Sequence, residues 1–174
     1  MNRRPVRRRI AVAAATAVLA AGTFALGAGV AGADSQGRGD KHAKPVTKAQ
    51  VLGLFDRWSA ALQTGDPKKV ADLYAKDAVL LPTVSNQVRT DRAGIVDHFE
   101  HFLQNKPVGT KVASVVDILD RDTVIDTGVH EFALTGHGTG EKSTVKARYT
   151  YAYEKQPNGR WLIVNHHSSK MPQG

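Results

Sequence analysis

What this 174-residue sequence lacks already narrows its possible architectures. It contains no cysteine, so no disulfide can stabilise it and the fold has to rest on packing. A large charge imbalance is also missing from most of the chain. The 24 Lys and Arg exceed the 16 Asp and Glu by 8, but five of those arginines and none of the acids lie in residues 1–33. Residues 34–174 therefore carry 19 basic and 16 acidic side chains, net +3, which gives no case for a nucleic-acid partner.

The first 33 residues have the pattern of a secretory signal peptide. Five arginines precede an alanine-rich apolar stretch over residues 10–26, and Ala31-Gly32-Ala33 forms an A-x-A cleavage site. A retained membrane anchor is the alternative, but the apolar stretch is short for a membrane span. We therefore expect a secreted, extracytoplasmic protein that begins at Asp34 and has no membrane contact after cleavage. The sequence leaves open whether the Sec or the twin-arginine route exports it.

One domain is expected after the signal peptide. Residues 34–45 are polar, contain glycine and show no period, which predicts a flexible linker. Residues 46–174 then form the domain, and a single domain of this size can bury enough apolar surface to be stable without disulfides.

Three helices are predicted at the start of this domain. Thr47 and Gln50 form a capping box that begins the first helix, and Gly65 ends it. Trp58 lies in the middle of the apolar stripe of this helix, so we expect it to anchor the core. A second, short helix begins at Asp66-Pro67. The third begins at residue 90 or 91 and runs to about residue 105.

The remaining chain is typical of a sheet. A short strand is predicted over residues 78–81, ahead of the third helix. Longer strands follow over residues 111–119, 123–134 and 143–154, and a last strand begins at Trp161.

Motifs for common cofactors are missing. Gly136, Gly138 and Gly140 join two predicted strands and open no helix, so they fail the context test for a phosphate loop, and no cofactor is expected. His98 and His101 lie three residues apart on a helix without a nearby third ligand, so no metal site is expected either. No Ser/His/Asp or Cys/His order is recognisable.

The residues that carry the most chemistry lie in a hairpin over residues 147–172. Tyr149, Tyr151 and Tyr153 alternate with a second face that contains Arg148. After the turn QPNG, the return strand is expected to place Asn165 and His167 on one face and His166 on the other. We expect Arg148 to line the interior and the three tyrosines to face outward.

This hairpin, A-R-Y-T-Y … G-R-W-L-I-V-N-H-H-S-S-K-M-P, resembles the last two strands of the association (hub) domain of calcium/calmodulin-dependent protein kinase II and its bacterial stand-alone relatives. The resemblance covers residues 46–172. It implies an α+β fold of the NTF2-like (SnoaL-like) type, a cone of three N-terminal helices packed on a curved, mostly antiparallel sheet. It also implies a homo-oligomer, at least a dimer, that pairs through the outer sheet face and its tyrosines.

The resemblance also suggests site residues. Arg148 matches a pocket arginine of the hub, and His167 with Ser169 matches its H-x-S, whereas Asn165 and Ser168 stand where the hub has histidine and arginine. An arginine inside an apolar cone needs an anionic partner, and bidentate geometry favours a carboxylate.

The first hypothesis is therefore a pocket protein that binds a small anionic molecule. Its predicted ligand-binding residues are Arg148, His167, Asn165, Tyr74 and His130. Two alternatives stay open. One is a SnoaL-like isomerase, cyclase or hydrolyase that uses His167 as its general base, with Asp126 or Glu131 as further candidate partners. The other is a pure assembly module.

Overall fold

The structure is a computed structural model that describes residues 45–172, so the predicted signal peptide and nearly all of the predicted linker lie outside the described residues. The described chain forms helices and strands in the order α1 (Lys48–Gln63), α2 (Pro67–Ala71), β1 (Tyr74–Leu81), α3 (Arg92–Phe102), a 3₁₀ turn (Leu103–Asn105), β2 (Val108–Ile118), β3 (Thr123–Thr135), β4 (Lys142–Lys155) and β5 (Trp161–Lys170).

The predicted helix starts are confirmed by their caps. At the start of α1, the backbone N–H of Gln50 donates to Oγ1 of Thr47 and the backbone N–H of Thr47 donates to Oε1 of Gln50. Asp66 caps α2 by accepting two backbone N–H bonds through its carboxylate, and Asp91 caps α3 by accepting one, from Gly94. These side chains satisfy N–H groups that a helix leaves without partners, which explains why the helices begin where the sequence predicted.

All five strands belong to one sheet, in the order β1-β5-β4-β3-β2. The pairs β5–β4, β4–β3 and β3–β2 are antiparallel, and β1 runs parallel to β5. The predicted α+β class and the mostly antiparallel sheet are thus confirmed. The edges of the sheet are β1 and β2.

The predicted strand starts were wrong at both edges of the sheet. β1 begins at Tyr74 instead of residue 78, and β2 begins at Val108 instead of residue 111. In β1 the pairing with β5 is irregular between Tyr74 and Val79, and Lys76 and Asp77 are both exposed there. Two consecutive exposed residues break the period of two that the prediction relied on.

The helices cover one side of the sheet, called the inner face here, and the core lies between them. Trp58 is 2% exposed, which confirms it as a core residue, and its ring contacts those of Phe55, Phe99 and Tyr151. The opposite side of the sheet is called the outer face. Within residues 45–172, no helix has the length and apolar character needed to cross a membrane.

Candidate ligand-binding site

The structure separates the five predicted site residues onto the two faces of the sheet. Tyr74 and His130 are buried on the inner face, as the prediction required. Arg148, Asn165 and His167 are exposed on the outer face. These three do share a face, but the prediction that they line the interior together with Tyr74 and His130 is wrong.

The first reason is the facing of β4. Tyr149, Tyr151 and Tyr153 alternate with Arg148 as predicted, yet it is the tyrosines that face the helices, where each is at most 2% exposed. Three aromatic rings bury far more apolar area than the alternating polar face can, so their burial decides which face is inside. The outward aromatic surface predicted for a dimer therefore does not exist.

The second reason is a β-bulge in β5. Consecutive residues of β4 pair with Ile163 and then Asn165, so Val164 is an extra residue in the ladder. A one-residue shift reverses the facing of every later side chain. Residues two apart in a regular strand share a face, but the bulge leaves Ile163 buried and Asn165 on the other face. Beyond the bulge it is therefore His166 that faces inward.

A chain of three buried hydrogen-bonding groups occupies the inner face. Nε1–H of Trp58 donates to the hydroxyl oxygen of Tyr74 at 3.0 Å, and that hydroxyl lies 2.8 Å from Nδ1 of His166. The Tyr74 hydrogen has no other acceptor among the described residues, so it is donated to Nδ1. Neutral His166 then carries its own hydrogen on Nε2. That Nε2 is buried without a hydrogen-bond partner in the described structure.

A second polar group lies beside the first. Oγ of Ser168 is 2.6 Å from Oγ1 of Thr83 and 3.4 Å from Nε2 of His130. The His130 ring stacks on Tyr149 with a centroid separation of 5.1 Å, and its Nδ1 is also buried without a partner. Two imidazoles thus present unused ring nitrogens in the interior, and buried polar atoms without a partner are uncommon in native structures.

Members of both groups line a small cavity that opens into a larger groove, but Tyr74 is not among its lining residues. The cavity has a volume of about 80 Å³ and mainly apolar walls that include Leu80, Phe132 and Leu134. Its polar members are Thr83, His98, His130, His166 and Ser168. At a liquid volume of about 30 Å³ per water, it has room for two or three waters.

The groove outside the cavity has a volume of about 680 Å³. Three residues, Val84, His98 and Phe102, line both spaces and so form the passage between them. The guanidinium of Arg89 also lines the groove, where its Nη2 is 2.9 Å from the Asp97 carboxylate. That ion pair neutralises the only cationic side chain other than histidine along the groove.

Burial controls the charge state of the interior. It lowers the pKa of His130 to about 4 and holds the pKa of His166 well below its usual range. It also lowers the pKa of His98 to about 4, with the nearby Arg89 as a further cause. The pKa of the Tyr74 hydroxyl rises for the same reason. All four groups are therefore uncharged at neutral pH, and the site is a set of neutral donors and acceptors in an apolar wall.

A separate buried carboxyl lies further along the inner face. Asp126 is fully buried, and the Tyr149 hydroxyl, which also contacts Oγ of Ser114, donates to its Oδ1 at 3.2 Å. Oδ2 has no partner among the described residues. Burial raises the pKa of Asp126 and the Tyr149 bond opposes that rise. Asp126 does not line the cavity, and Glu131, the other predicted partner, is exposed.

Sequence reasoning missed His166, Ser168 and Thr83. The signal was present in the tyrosine alternation, because Tyr151 pairs with His166 and Tyr149 pairs with Ser168 across β4 and β5. Placing the tyrosines inward would have carried their partners inward with them. In residues 45–172 no three His, Cys, Asp or Glu side chains are grouped as metal ligands, and His98 and His101 have no third partner of that kind.

Comparisons with solved structures place this fold among known ones. A crystal structure from Xanthomonas campestris, described as a calcium/calmodulin dependent protein kinase II association domain, is 56% identical, with a TM-score of 0.70 over 72% of this chain and 88% of its own. A nuclear transport factor 2 (NTF2-like) superfamily protein from Salmonella enterica is 14% identical, with a TM-score of 0.63 over 72% of this chain and 91% of its own.

A ketosteroid isomerase-like protein from Erwinia carotovora shows the same fold at 15% identity, with a TM-score of 0.61 over 72% of this chain and 96% of its own. At that identity the likeness concerns the fold alone. No protein among the curated ones matches the chain. The family model for the calcium/calmodulin dependent protein kinase II association domain matches residues 47–172, which is nearly the whole described domain. The chain therefore belongs to the calcium/calmodulin dependent protein kinase II association domain family and has the NTF2-like fold.

Proposed function

We propose that this protein binds a small, uncharged molecule in its cone, with Nε2–H of His166 as the main hydrogen-bond donor. The observation that carries the proposal is the pairing of a cavity with a buried donor that the protein itself leaves unused. Binding sites of this kind have apolar walls and a few placed polar groups. A carbonyl oxygen is a suitable acceptor, and the rest of the ligand extends through the passage into the groove.

The proposed ligand is neutral, whereas the sequence predicted an anionic one. The anionic ligand depended on Arg148 in the interior, but that residue is exposed, and the cavity walls include no lysine or arginine. A carboxylate would enter this space without a counter-ion, which is costly. A neutral carbonyl compound meets the same donor at a much smaller desolvation cost.

Binding is favoured over acid–base catalysis. His167, the predicted general base, is exposed and cannot reach the cavity from the outer face. The three imidazoles that do line the cavity, His98, His130 and His166, have pKa values pushed far below neutral, and an effective general base has a pKa near the working pH. A pure assembly role is less favoured because the cone retains an open cavity instead of being filled by side chains.

The test uses acetophenone, whose methyl ketone end is small enough to approach His166, in isothermal titration calorimetry. Wild-type protein is expected to bind it, and His166→Phe should weaken binding about 10-fold or more because it removes the donor while keeping a ring of similar size. Benzoate, an anion of similar size, should not compete with acetophenone. Unchanged acetophenone affinity in His166→Phe contradicts the proposal.

A second pair of variants guards against misfolding of His166→Phe. Val84 is 68% exposed and lines the passage, so Val84→Trp should obstruct entry and leave the fold intact. Val88 lies on the same loop, is also exposed, and lines neither the cavity nor the groove. Val88→Trp is therefore the matched control and should bind acetophenone as wild type does.

We also propose that the protein is exported and is at least a dimer. The pattern of residues 1–33 supports export, and a culture-medium form whose intact mass corresponds to a chain that starts at Asp34 would agree with it.

Apolar side chains exposed along β2, an edge strand, support self-association, because an unpaired edge strand can pair with another chain. Those side chains are Val108, Val112, Val115 and Ile118. Light scattering that gives only monomer mass at micromolar concentration would contradict the dimer.

A further inference from the structure

A second groove lies between α1 and the turn that joins β4 to β5, away from the cavity walls. Its volume is about 390 Å³, within the range of small-molecule sites. Val46 and Leu54 give it apolar surface, and the half-exposed ring of Trp161 forms part of its wall. None of its lining residues lines the cavity in the cone.

Two cations line this groove without an anionic partner. Arg57 on α1 and Lys155 at the end of β4 both belong to its walls. Neither side chain takes part in a salt bridge or a side-chain hydrogen bond within residues 45–172. Positive charge without a counter-ion beside an aromatic ring is a suitable setting for a small anion that also carries a ring.

The helix contributes space at the same place. Gly53 lies in the interior of α1, where glycine is less favourable than alanine. A Cβ at this position would meet nothing within 4 Å, so no contact inside the protein requires glycine here. Gly53 also lines the groove. A glycine that packing does not explain, facing an open groove, is the arrangement that lets another molecule approach the helix backbone closely.

An unused donor lies under the groove. A cleft of about 10 Å³ shares Leu54, Arg57 and Trp161 with the groove and is also lined by Tyr153. Tyr153 is 2% exposed, and its hydroxyl has no hydrogen-bond partner within the described residues. Burial raises its pKa well above the usual range, so it stays protonated and remains a donor. A cleft of this size holds about one water, which can connect the hydroxyl to an occupant of the groove.

We propose that this groove binds a small aromatic carboxylate. Arg57 donates two parallel N–H bonds to the carboxylate, and Lys155 adds a second positive charge. The ligand ring packs against Trp161 over the space that Gly53 leaves. Two cations match a single carboxylate better than a polyphosphate, which needs more charge or a metal ion. The site is separate from the cone cavity and does not depend on what binds there.

The test measures benzoate binding to the purified protein by isothermal titration calorimetry. Arg57→Gln should weaken benzoate binding by about 10-fold or more, and Lys155→Gln by about 3-fold or more. Arg57→Lys should restore only part of the loss, because lysine keeps the charge but not the planar fork. Lys146→Gln removes the same charge from an exposed position of the same strand and should stay within about 2-fold of wild type.

Two further variants make the outcome decisive. Gly53→Ala should weaken benzoate binding while its melting temperature stays equal to or above that of wild type, a combination that a purely structural role does not produce. His166→Phe, which tests the cone, should leave benzoate binding unchanged. The proposal is overturned if wild type does not bind benzoate, if Arg57→Gln binds it as tightly as wild type, or if binding is lost in His166→Phe and kept in Arg57→Gln.

Discussion

The two faces of the β4–β5 hairpin are made from the same short stretch of sequence but differ in what they can hold. The inner face has three tyrosines with His166 and Ser168, all buried. The outer face has Arg148, Asn165 and His167, all exposed. The interior thus tolerates polar groups that can be neutral and hydrogen-bonded, whereas the permanent charge of an arginine remains where water solvates it.

Two adjacent histidines show this difference most directly. His166 is enclosed by the rings of Trp58, Tyr74 and Tyr151, the last with its centroid only 4.1 Å away. His167, one residue later, is exposed on the other face. Residue type therefore says little about role here, and the facing of the strand decides between a buried donor and a solvated side chain.

The largest expected effect tests the inner face at its centre. Trp58→Ala should lower the free energy of unfolding by about 3–5 kcal/mol, because it removes a buried ring and leaves a cavity. The hydroxyl of Tyr74 also loses the donor that Trp58 provides. Urea denaturation followed by far-UV circular dichroism measures the change. A midpoint equal to that of wild type would show that the inner face is not packed as described.

The next effect compares the two histidines. His166→Ala should cost about 2–4 kcal/mol, because it empties part of the core and leaves the buried Tyr74 hydroxyl without an acceptor. His167→Ala is the matched control and should change stability by less than about 0.5 kcal/mol, as exposed substitutions usually do. Equal losses in the two variants would mean that the assigned facing of β5 is wrong.

The sequence was sufficient for most of the fold because its local signals agree with one another. Caps, apolar stripes and the QPNG turn each act over a few residues, and the structure confirms the helix starts they predicted. A period of two also identified two different faces on β4. It could not say which face is inside, since that depends on the total area each face buries against distant helices.

The candidate site was harder to predict for the same reason. Tyr74 and His130 were expected in the interior and lie there. The error over Arg148, Asn165 and His167 came from assigning their shared face to the interior by resemblance. The bulge at Val164, which puts Ile163 and Asn165 on opposite faces, could not be predicted from a local pattern. A bulged residue is not distinguished by its composition or hydropathy, yet it reverses the facing of every later side chain in the strand.

Acid should lower the stability of the protein through the buried histidines of the inner face. The pKa of His130 is about 4 in the folded protein and near 6.5 in the unfolded chain, so between these values the unfolded chain binds a proton that the folded one does not. Stability is therefore complete above about pH 6.5 and falls towards pH 4, by up to about 1.4 kcal/mol per pH unit for this histidine. The lowered pKa of His166 acts in the same direction.

Urea denaturation between pH 4.5 and 7.5 measures this slope, and His130→Phe should reduce it. His167→Ala should leave the slope as it is in wild type. A wild-type stability that is constant over this range would contradict the burial of neutral imidazoles on the inner face.

Asp126 should show the opposite dependence on pH. Its folded pKa is raised, so the folded protein holds the proton more tightly than the unfolded chain does, and stability falls as pH rises through the folded pKa. Asp126→Asn keeps an oxygen for the Tyr149 hydroxyl and removes the buried charge. The variant should be about 1 kcal/mol more stable than wild type at pH 8, and the gain should shrink towards pH 4. A gain that does not vary with pH would contradict this explanation.

The smallest expected effect comes from the outer face. Arg148 makes no salt bridge or side-chain hydrogen bond within residues 45–172, so Arg148→Leu should change the free energy of unfolding by less than about 0.5 kcal/mol. It should also leave the affinities for acetophenone and benzoate within about 2-fold of wild type, because the residue lines neither the cavity nor the groove beside Trp161. Loss of either ligand in this variant would return Arg148 to the site and refute the facing of β4.

Thermal melts of Arg148→Leu at two protein concentrations test whether a second copy covers the outer face. If it does, the change in melting temperature should depend on protein concentration. A solvated arginine gives the same small change at both concentrations.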